Sequence, residues 1–227
     1  MSTILITGAN KGLGREAARR LLADGHDVWV AARDPERGRK AAEELGARHV
    51  VLDVTDDVSV EAAATTVAAA TGGALDVLIN NAGILGSMAP ADEINAADVR
   101  SVYDVNVLGP VRVLHVFLPL LRTSGSPVVV NVSSGLGSMN HTTDPNPLFP
   151  PYSSSKAALN MLTIQWARAF PDIRINAVDP GFPATDFNGH IGTQTVAEGT
   201  DAIVQMATIG SDGPTGSFVG RYGPVAW

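Results

Sequence analysis

The chain of 227 residues contains no cysteine. Disulfides, cysteine-based metal sites and thiol catalysis are therefore excluded. Basic residues are not in excess: the formal net charge is −7, which argues against a nucleic-acid-binding surface. No uninterrupted apolar run reaches membrane length, so no membrane partner is expected. Met1 is followed almost at once by the apolar run Ile4-Leu5-Ile6. That leaves no room for a signal peptide and predicts a cytoplasmic location. The five histidines show no metal-ligand spacing, so no metal site is expected. There is no long-period repeat, and no linker divides the chain.

What is present suits one α/β domain over residues 1–227. Apolar residues make up 45% of the chain, enough for a sizeable core at this length. Strands are predicted near Ile4–Thr7, Asp27–Ala31, His49–Leu52, Val77–Ile79, Val128–Val132, Arg174–Val178 and Ser217–Val219. Helices are predicted over Leu13–Ala23, Glu36–Leu45, Val58–Ala70, Val99–Leu121, Ser153–Phe170 and Val196–Thr208. The alanine-rich stretch Ala62–Ala70 reads as a good helix former packed on the sheet. Near-continuous apolar strands alternating with helices predict an α/β fold. Its doubly wound parallel sheet would have about seven strands, with helices on both faces.

Two pairs of residues carry the chemistry. Tyr152 and Lys156 are one helical turn apart, so they share a helix face. Tyrosine has an ordinary pKa of about 10 and is a poor acid-base group at neutral pH. A neighbouring ammonium favours the phenolate. Pro150-Pro151 end any preceding helix and place Tyr152 in the first turn of the next, where the helix dipole also favours an anion. A lowering of about three units would correspond to roughly 4 kcal/mol. Upstream lies the second pair, Ser133-Ser134.

At the N-terminus, Ile4-Leu5-Ile6 runs into Thr7-Gly8-Ala9-Asn10-Lys11-Gly12-Leu13-Gly14, and a helical stretch follows. Strand, glycine-rich turn and helix form the setting a phosphate-binding motif requires. Gly8 would allow the tight turn, Gly12 the approach of backbone to a pyrophosphate, and Gly14 the packing of helix on sheet. The helix amides would face the phosphates.

The spacing Gly-x-x-x-Gly-x-Gly, taken with Tyr152 and Lys156, resembles the short-chain dehydrogenase/reductase superfamily over nearly the whole chain. Asp53-Val54 is similar to the family's adenine-contacting pair, and Asn80-Asn81-Ala82-Gly83 to its Asn-Asn-Ala-Gly motif. Asn106 resembles its active-site asparagine. Asn131-Val132-Ser133-Ser134 resembles its Asn-x-Ser-Ser strand end, and Pro180-Gly181 with Thr185 its Pro-Gly-x-x-x-Thr segment. The tail Asp212–Phe218 is similar to carbonyl-reductase-like and menthone-reductase-like members.

The resemblance implies a single-domain Rossmann fold, in which residues 1–90 would mainly bind a dinucleotide and residues 100–227 would carry the catalytic residues and substrate loops. Asn106, Ser134, Tyr152 and Lys156 would be catalytic. Ser134 would hold a carbonyl oxygen beside Tyr152, which would protonate it. Lys156 would bind the nicotinamide ribose, and Asn106 would hold a relay water. Ser134 aligns with the family's Ser-x-x-Gly through Gly137. If the strand register differs, Ser133 takes its place, since adjacent strand residues face opposite ways. The cofactor would be held by Gly8, Asn10, Lys11, Gly12, Leu13, Gly14, Arg33, Asp53, Val54, Asn81, Ala82, Gly83, Tyr152, Lys156, Pro180, Gly181 and Thr185. At the end of the second strand stands Ala32, where an NAD-selective site usually has an acid. Arg33 and Lys11 would clamp a 2′-phosphate, as in carbonyl-reductase-like NADPH enzymes. NADP(H) is favoured; Asp34 turned inward would instead bind a ribose hydroxyl and make the cofactor NAD(H).

The expected activity is NADPH-dependent reduction of a ketone or aldehyde. The alternatives are an NAD-dependent alcohol dehydrogenase and a non-catalytic NADP(H)-sensing protein. The partner would be a small carbonyl or alcohol. The family's habit of pairing through Val99–Leu121 and Ser153–Phe170 predicts a homodimer or homotetramer. Two departures stand out. Seventeen residues separate Ser134 from Tyr152, more than is usual in the family; the extra proline-rich segment around His141–Phe149 would border the substrate site, with Phe149 and Met139 lining it. Pro183 occupies a position whose amide usually binds the nicotinamide carboxamide, and proline has no such donor. His115 is expected to pack inside its helix, His141 and His190 to be solvated loop residues, and Trp166 to pack on the core or a partner subunit.

Overall fold

A computed structural model describes residues 1–141 and 149–227. Eight strands form one sheet: β1 (Thr3–Thr7), β2 (Asp27–Ala32), β3 (Arg48–Val51), β4 (Val77–Asn80), β5 (Val128–Val132), β6 (Arg174–Asp179), β7 (Phe218–Gly220) and β8 (Gly223–Pro224). The helices are α1 (Gly12–Ala23), α2 (Pro35–Leu45), α3 (Asp57–Thr71), α4 (Ala96–Tyr103), α5 (Gly109–Leu121), α6 (Pro150–Ala169) and α7 (Val196–Ala207). Strand order is β3-β2-β1-β4-β5-β6-β7-β8. Every pairing is parallel except β7 with β8. The strand beyond the expected seven is β8, a two-residue return of the chain onto β7.

Side-chain alternation along the strands divides the core between the two sheet faces. Ile4 and Ile6 join Val28, Val30, Val77 and Ile79 beneath Ala17 and Leu21 of α1 and Ile203 of α7. Leu5, Trp29, Leu78, Val129 and Ile175 face the other way, against Val67 of α3 and Phe117 of α5. Each such aliphatic side chain contributes roughly 1.5–3 kcal/mol by leaving water. The alanine-rich helix α3 buries Ala63, Ala64 and Val67, as a small-residue helix packed on a sheet should.

The sheet's winding reverses between β1 and β4, so the cleft of this fold opens at their C-terminal ends. The motif residues gather there: Thr7 ends β1, Asn80 ends β4, Val132 ends β5 and Asp179 ends β6.

The single helix expected over Val99–Leu121 is instead α4, a π turn over Asp104–Leu108, and α5. Pro110 explains the break. In an α-helix the Asn106 carbonyl would accept from the amide of residue 110, and proline has none. The widened turn is closed by the amide of Gly109 bonding to Asp104 O, and Asn106 points into the interior, fully buried. Taken together, Ala96–Leu121 is long and apolar enough by composition to cross a membrane, which departs from the reading that no run reaches that length. Val102, Val113, Phe117 and Leu121 of this stretch are nevertheless fully buried against the protein's own core. Helix α6 starts three residues earlier than Ser153, because Pro150 and Pro151 occupy its first positions, where a missing amide hydrogen costs nothing. His115 lies on the exposed side of α5 rather than packed within it.

Candidate active site

The glycine turn is built as its sequence requires. Gly8 has φ +64°, a conformation a side chain resists. A Cβ on Gly14 would stand 2.9 Å from Ala9 Cα and 2.5 Å from Asn81 Nδ2, so only glycine lets α1 seat this closely. No side chain caps the N-terminus of α1. Its first amides are therefore left for an anion, and the helix dipole favours one. Asn81 Nδ2 donates to Thr7 O at 2.8 Å and Gly8 O at 3.2 Å, while Thr7 Oγ1 accepts from the amides of Asn81 and Ala82 at 3.0 Å each. Asn81 thus fixes the turn against the end of β4 rather than reaching outward. Asn10, Gly12 and Leu13 line the turn, and Thr185 covers it: its methyl group is 3.9 Å from where a Cβ on Gly12 would stand.

The four residues expected to be catalytic converge. Tyr152 lies in the first turn of α6 and Lys156 one turn on; both are buried. The Ser134 side chain accepts from Leu136 N at 3.2 Å and lies close enough to the Tyr152 hydroxyl to act on its pKa. Ser133 points the other way, donating to Asn160 Oδ1 at 2.5 Å. Lys156 Nζ donates to Val132 O at 2.8 Å and lies 5.6 Å from the centre of the Tyr152 ring. Gly83 closes the far side, with its missing Cβ 3.7 Å from Lys156 Nζ and 3.3 Å from Asn106 Oδ1. The Asn106 side chain is fully used: Oδ1 accepts from Ile84 N, and Nδ2 donates to Ile84 O and Ser155 Oγ. What Asn106 has to offer a water is the backbone carbonyl that Pro110 cannot engage.

The expected lowering of the Tyr152 pKa is not what the geometry gives. Burial pushes the phenol up to about 12; the Ser134 side chain works against this and the charge of Asp179 adds to it. Lys156 does not offset the burial; its amine donates to the Val132 carbonyl. Burial in turn lowers the Lys156 pKa to about 8.

Other cofactor residues are placed as follows. Asp53 accepts from the amide and hydroxyl of Thr55 at 2.9 and 2.7 Å, and Val54 is buried against Gly109. Arg33 is exposed at the end of β2. Asp34 caps α2, accepting from Arg37 N at 3.0 Å, and its other oxygen pairs with the Arg37 guanidinium at 3.4 Å. Lys11 is paired with Asp186 at 3.1 Å, with both side chains more than half exposed. Beyond Pro180 and Gly181, the loop is tied to itself. The amides of Phe182 and Ala184 bond to Gln194, and that of Thr185 to Asn188 Oδ1. The missing Pro183 donor is therefore not replaced by a neighbouring amide, and the Thr185 hydroxyl remains.

Sequence reasoning passed over Asp179, although it directly precedes Pro180-Gly181. Its Oδ1 accepts from Gly135 N at 2.9 Å and Gly181 N at 3.0 Å. It also passed over the buried polar chain from Asn80 through Asn131 to Thr163, visible in sequence only as polar residues inside apolar runs. Met139 is exposed, and Phe149 sits at the N-cap of α6. His190 is exposed and bonded to Asp186 at 2.8 Å, and Trp166 packs on the core. The side chain of His141 and residues 142–148 lie outside the described residues.

The family model for short chain dehydrogenases matches residues 2–195. The short-chain dehydrogenase anuI of Penicillium roqueforti is 37% identical, over 92% of this chain and 89% of its own length. Salutaridine reductase of Papaver bracteatum is 30% identical, with 96% and 94% covered. Among solved structures, NADPH-bound carbonyl reductase from chicken fatty liver superposes with a TM-score of 0.90 at 30% identity, covering 100% of this chain and 99% of that one. The chain belongs to the short-chain dehydrogenase family, with relatives among the carbonyl reductases, and is an oxidoreductase of alcohol or carbonyl groups.

Proposed function

We propose that this protein reduces ketones or aldehydes to alcohols at the expense of NADPH, with Tyr152 as the general acid. The observation that carries the reading is the convergence of Ser134, Tyr152, Lys156 and Asn106 beside the uncapped end of α1. A dinucleotide fits there: the first α1 amides have no side-chain cap, and Gly12, at φ +56°, has nothing closer than 3.9 Å to where a Cβ would stand. When bound, NADPH supplies the hydride.

The protein supplies the rest. Ser134 donates a hydrogen bond to the carbonyl oxygen and holds it beside Tyr152. The phenol is fully protonated at neutral pH, since burial holds its pKa high; that is the form proton donation needs. Tyr152 then gives its proton to the oxygen. Lys156, with its pKa lowered to about 8, restores that proton, with a water held at the Asn106 carbonyl as its link to solvent.

NADPH is favoured over NADH because Asp34 is spent on capping α2, whereas Arg33 is exposed and free of ion pairs among the described residues. Lys11 joins Arg33 by leaving Asp186, at small cost for an exposed pair. Titration of tryptophan fluorescence with each dinucleotide tests this. The expected result is tighter NADPH binding, weakened by about tenfold or more in Arg33→Ala, as loss of a charge-assisted pair implies. Equal loss of NADH affinity in that variant would refute the assignment. Tighter NADH binding would favour the NAD-dependent alcohol dehydrogenase.

A further inference from the structure

Asp179 is a partly buried carboxylate with half of its hydrogen-bonding capacity unused. Oδ1 accepts from Gly135 N and Gly181 N. Oδ2 accepts nothing among the described residues, and Asp179 takes part in none of their ion pairs. Buried or half-buried carboxylates are normally matched by a cation, because desolvating an unpaired charge is costly. This one lies at the end of β6 and holds the amides of Gly135, which follows Ser134, and Gly181, which precedes Phe182. It stands between the serine and the loop that flanks the substrate cleft. Its charge is felt at the Tyr152 hydroxyl. Tyr152 is also bordered by Phe187, with ring centres 5.6 Å apart, and Phe182, Phe187 and Ile191 are exposed along the same loop. The cleft thus offers an apolar rim and the unpaired carboxylate of Asp179 near the reacting oxygen.

We infer that Asp179 sets substrate specificity, selecting apolar carbonyl compounds that carry a cationic amine and rejecting those that carry a carboxylate. Oδ2 would accept a hydrogen bond from the substrate ammonium, while Oδ1 keeps the Ser134-Gly135 turn in place. The inference rests on the carbonyl-reductase reading of the same site.

Three ketones of similar shape test it: acetophenone, 4-(aminomethyl)acetophenone and 4-acetylbenzoate. Each is assayed by NADPH consumption at pH 7 with the wild type and with Asp179→Asn, which keeps an oxygen for the two amides and removes the charge. Rates are normalised to acetophenone. In the wild type the cationic ketone should exceed the anionic one in kcat/KM by tenfold or more, the size expected for one charge at short range in a protein site. In Asp179→Asn that ratio should fall to within about threefold of unity. A general loss of fold or positioning would lower all three together and leave the ratios unchanged, which would overturn the inference. Turnover with no charge preference in the wild type would overturn it too, while sparing the reductase reading. If none of the three turns over, their affinities for the NADPH-loaded protein by thermal shift read the same ratio. A charge preference lost in Asp179→Asn would then sink the reductase reading alone; equal affinities would sink the inference as well.

Discussion

Replacing Lys156 with methionine should stabilise the protein at neutral pH and destabilise it at high pH. Lys156 is 5% exposed, and burial lowers its pKa from 10.5 to about 8. At 1.36 kcal/mol per unit, holding the ammonium in the fold costs about 3 kcal/mol. The sign follows from proton counting. Between pH 8 and 10.5 the unfolded chain holds a proton that the folded one has lost, so wild-type stability rises with pH across that window. The cost is fully present below about pH 8 and disappears above 10.5. Lys156→Met removes it at every pH. The substitution also forfeits the 2.8 Å hydrogen bond to Val132 O and leaves a buried carbonyl unpaired, a loss of about 1–2 kcal/mol.

At pH 7 the variant should therefore gain about 1–2 kcal/mol, or about 4 °C in Tm for a chain of this size. Near pH 10.5 only the lost hydrogen bond remains, and the variant should be the less stable by about the same amount. The two stability curves should cross between roughly pH 9 and 10. Urea denaturation at pH 7, 8.5 and 10.5 measures this directly. Titration of Tyr152, whose raised pKa makes both proteins lose stability above about pH 10, is common to both and cancels in the difference. Parallel curves, or a variant less stable at pH 7, would refute the desolvation argument. Activity should be lost at all pH values, so the residue is retained at the expense of stability.

Four further outcomes are expected. Tyr152→Phe should lower kcat by about 10²–10⁴, the usual weight of general acid catalysis, with NADPH binding intact by fluorescence titration; unchanged turnover would refute its role. Ser133→Ala should cost about 1–3 kcal/mol in urea denaturation by leaving the buried Asn160 Oδ1 without its donor and change kcat little, whereas Ser134→Ala should do the reverse; exchanged effects would overturn the division between them. Gly14→Ala should destabilise by about 1–3 kcal/mol, as overpacking does, and abolish dinucleotide binding, because its Cβ meets the backbone of Ala9; a neutral result in both assays would contradict the packing. Sedimentation should show a dimer or tetramer, with the exposed Met161 of α6 buried between copies, so that Met161→Glu shifts the distribution towards monomer; a monomeric wild type would refute that pairing.

Much of the site was legible in sequence because its parts are local. Gly8 and Gly14 announce a turn and a close approach, and Tyr152 with Lys156 share a helix face whatever the rest of the chain does. Ser134 was preferred over Ser133 through its Ser-x-x-Gly alignment with Gly137, while strand alternation left the two able to exchange, since one residue of register decides which hydroxyl faces the cleft. Pairing across elements was not legible. Nothing local to Lys11 points to Asp186, 175 residues away, and nothing in Arg33-Asp34 says that the acid will cap a helix instead of reaching inward, although Pro35 at the first helical position is a hint in hindsight. Electrostatics was the least legible. A tyrosine four residues before a lysine suggests a primed phenol, yet the sign of the shift depends on burial and on where the ammonium hydrogens point. Lys156 spends its amine on Val132 O, and the carboxylate of Asp179 pushes the phenol further up. The sequence pattern therefore names the groups that meet, and the fold decides which of them holds a proton. Here that decision gives a protonated phenol and a lysine poised near neutrality, an arrangement suited to delivering a proton and then replacing it.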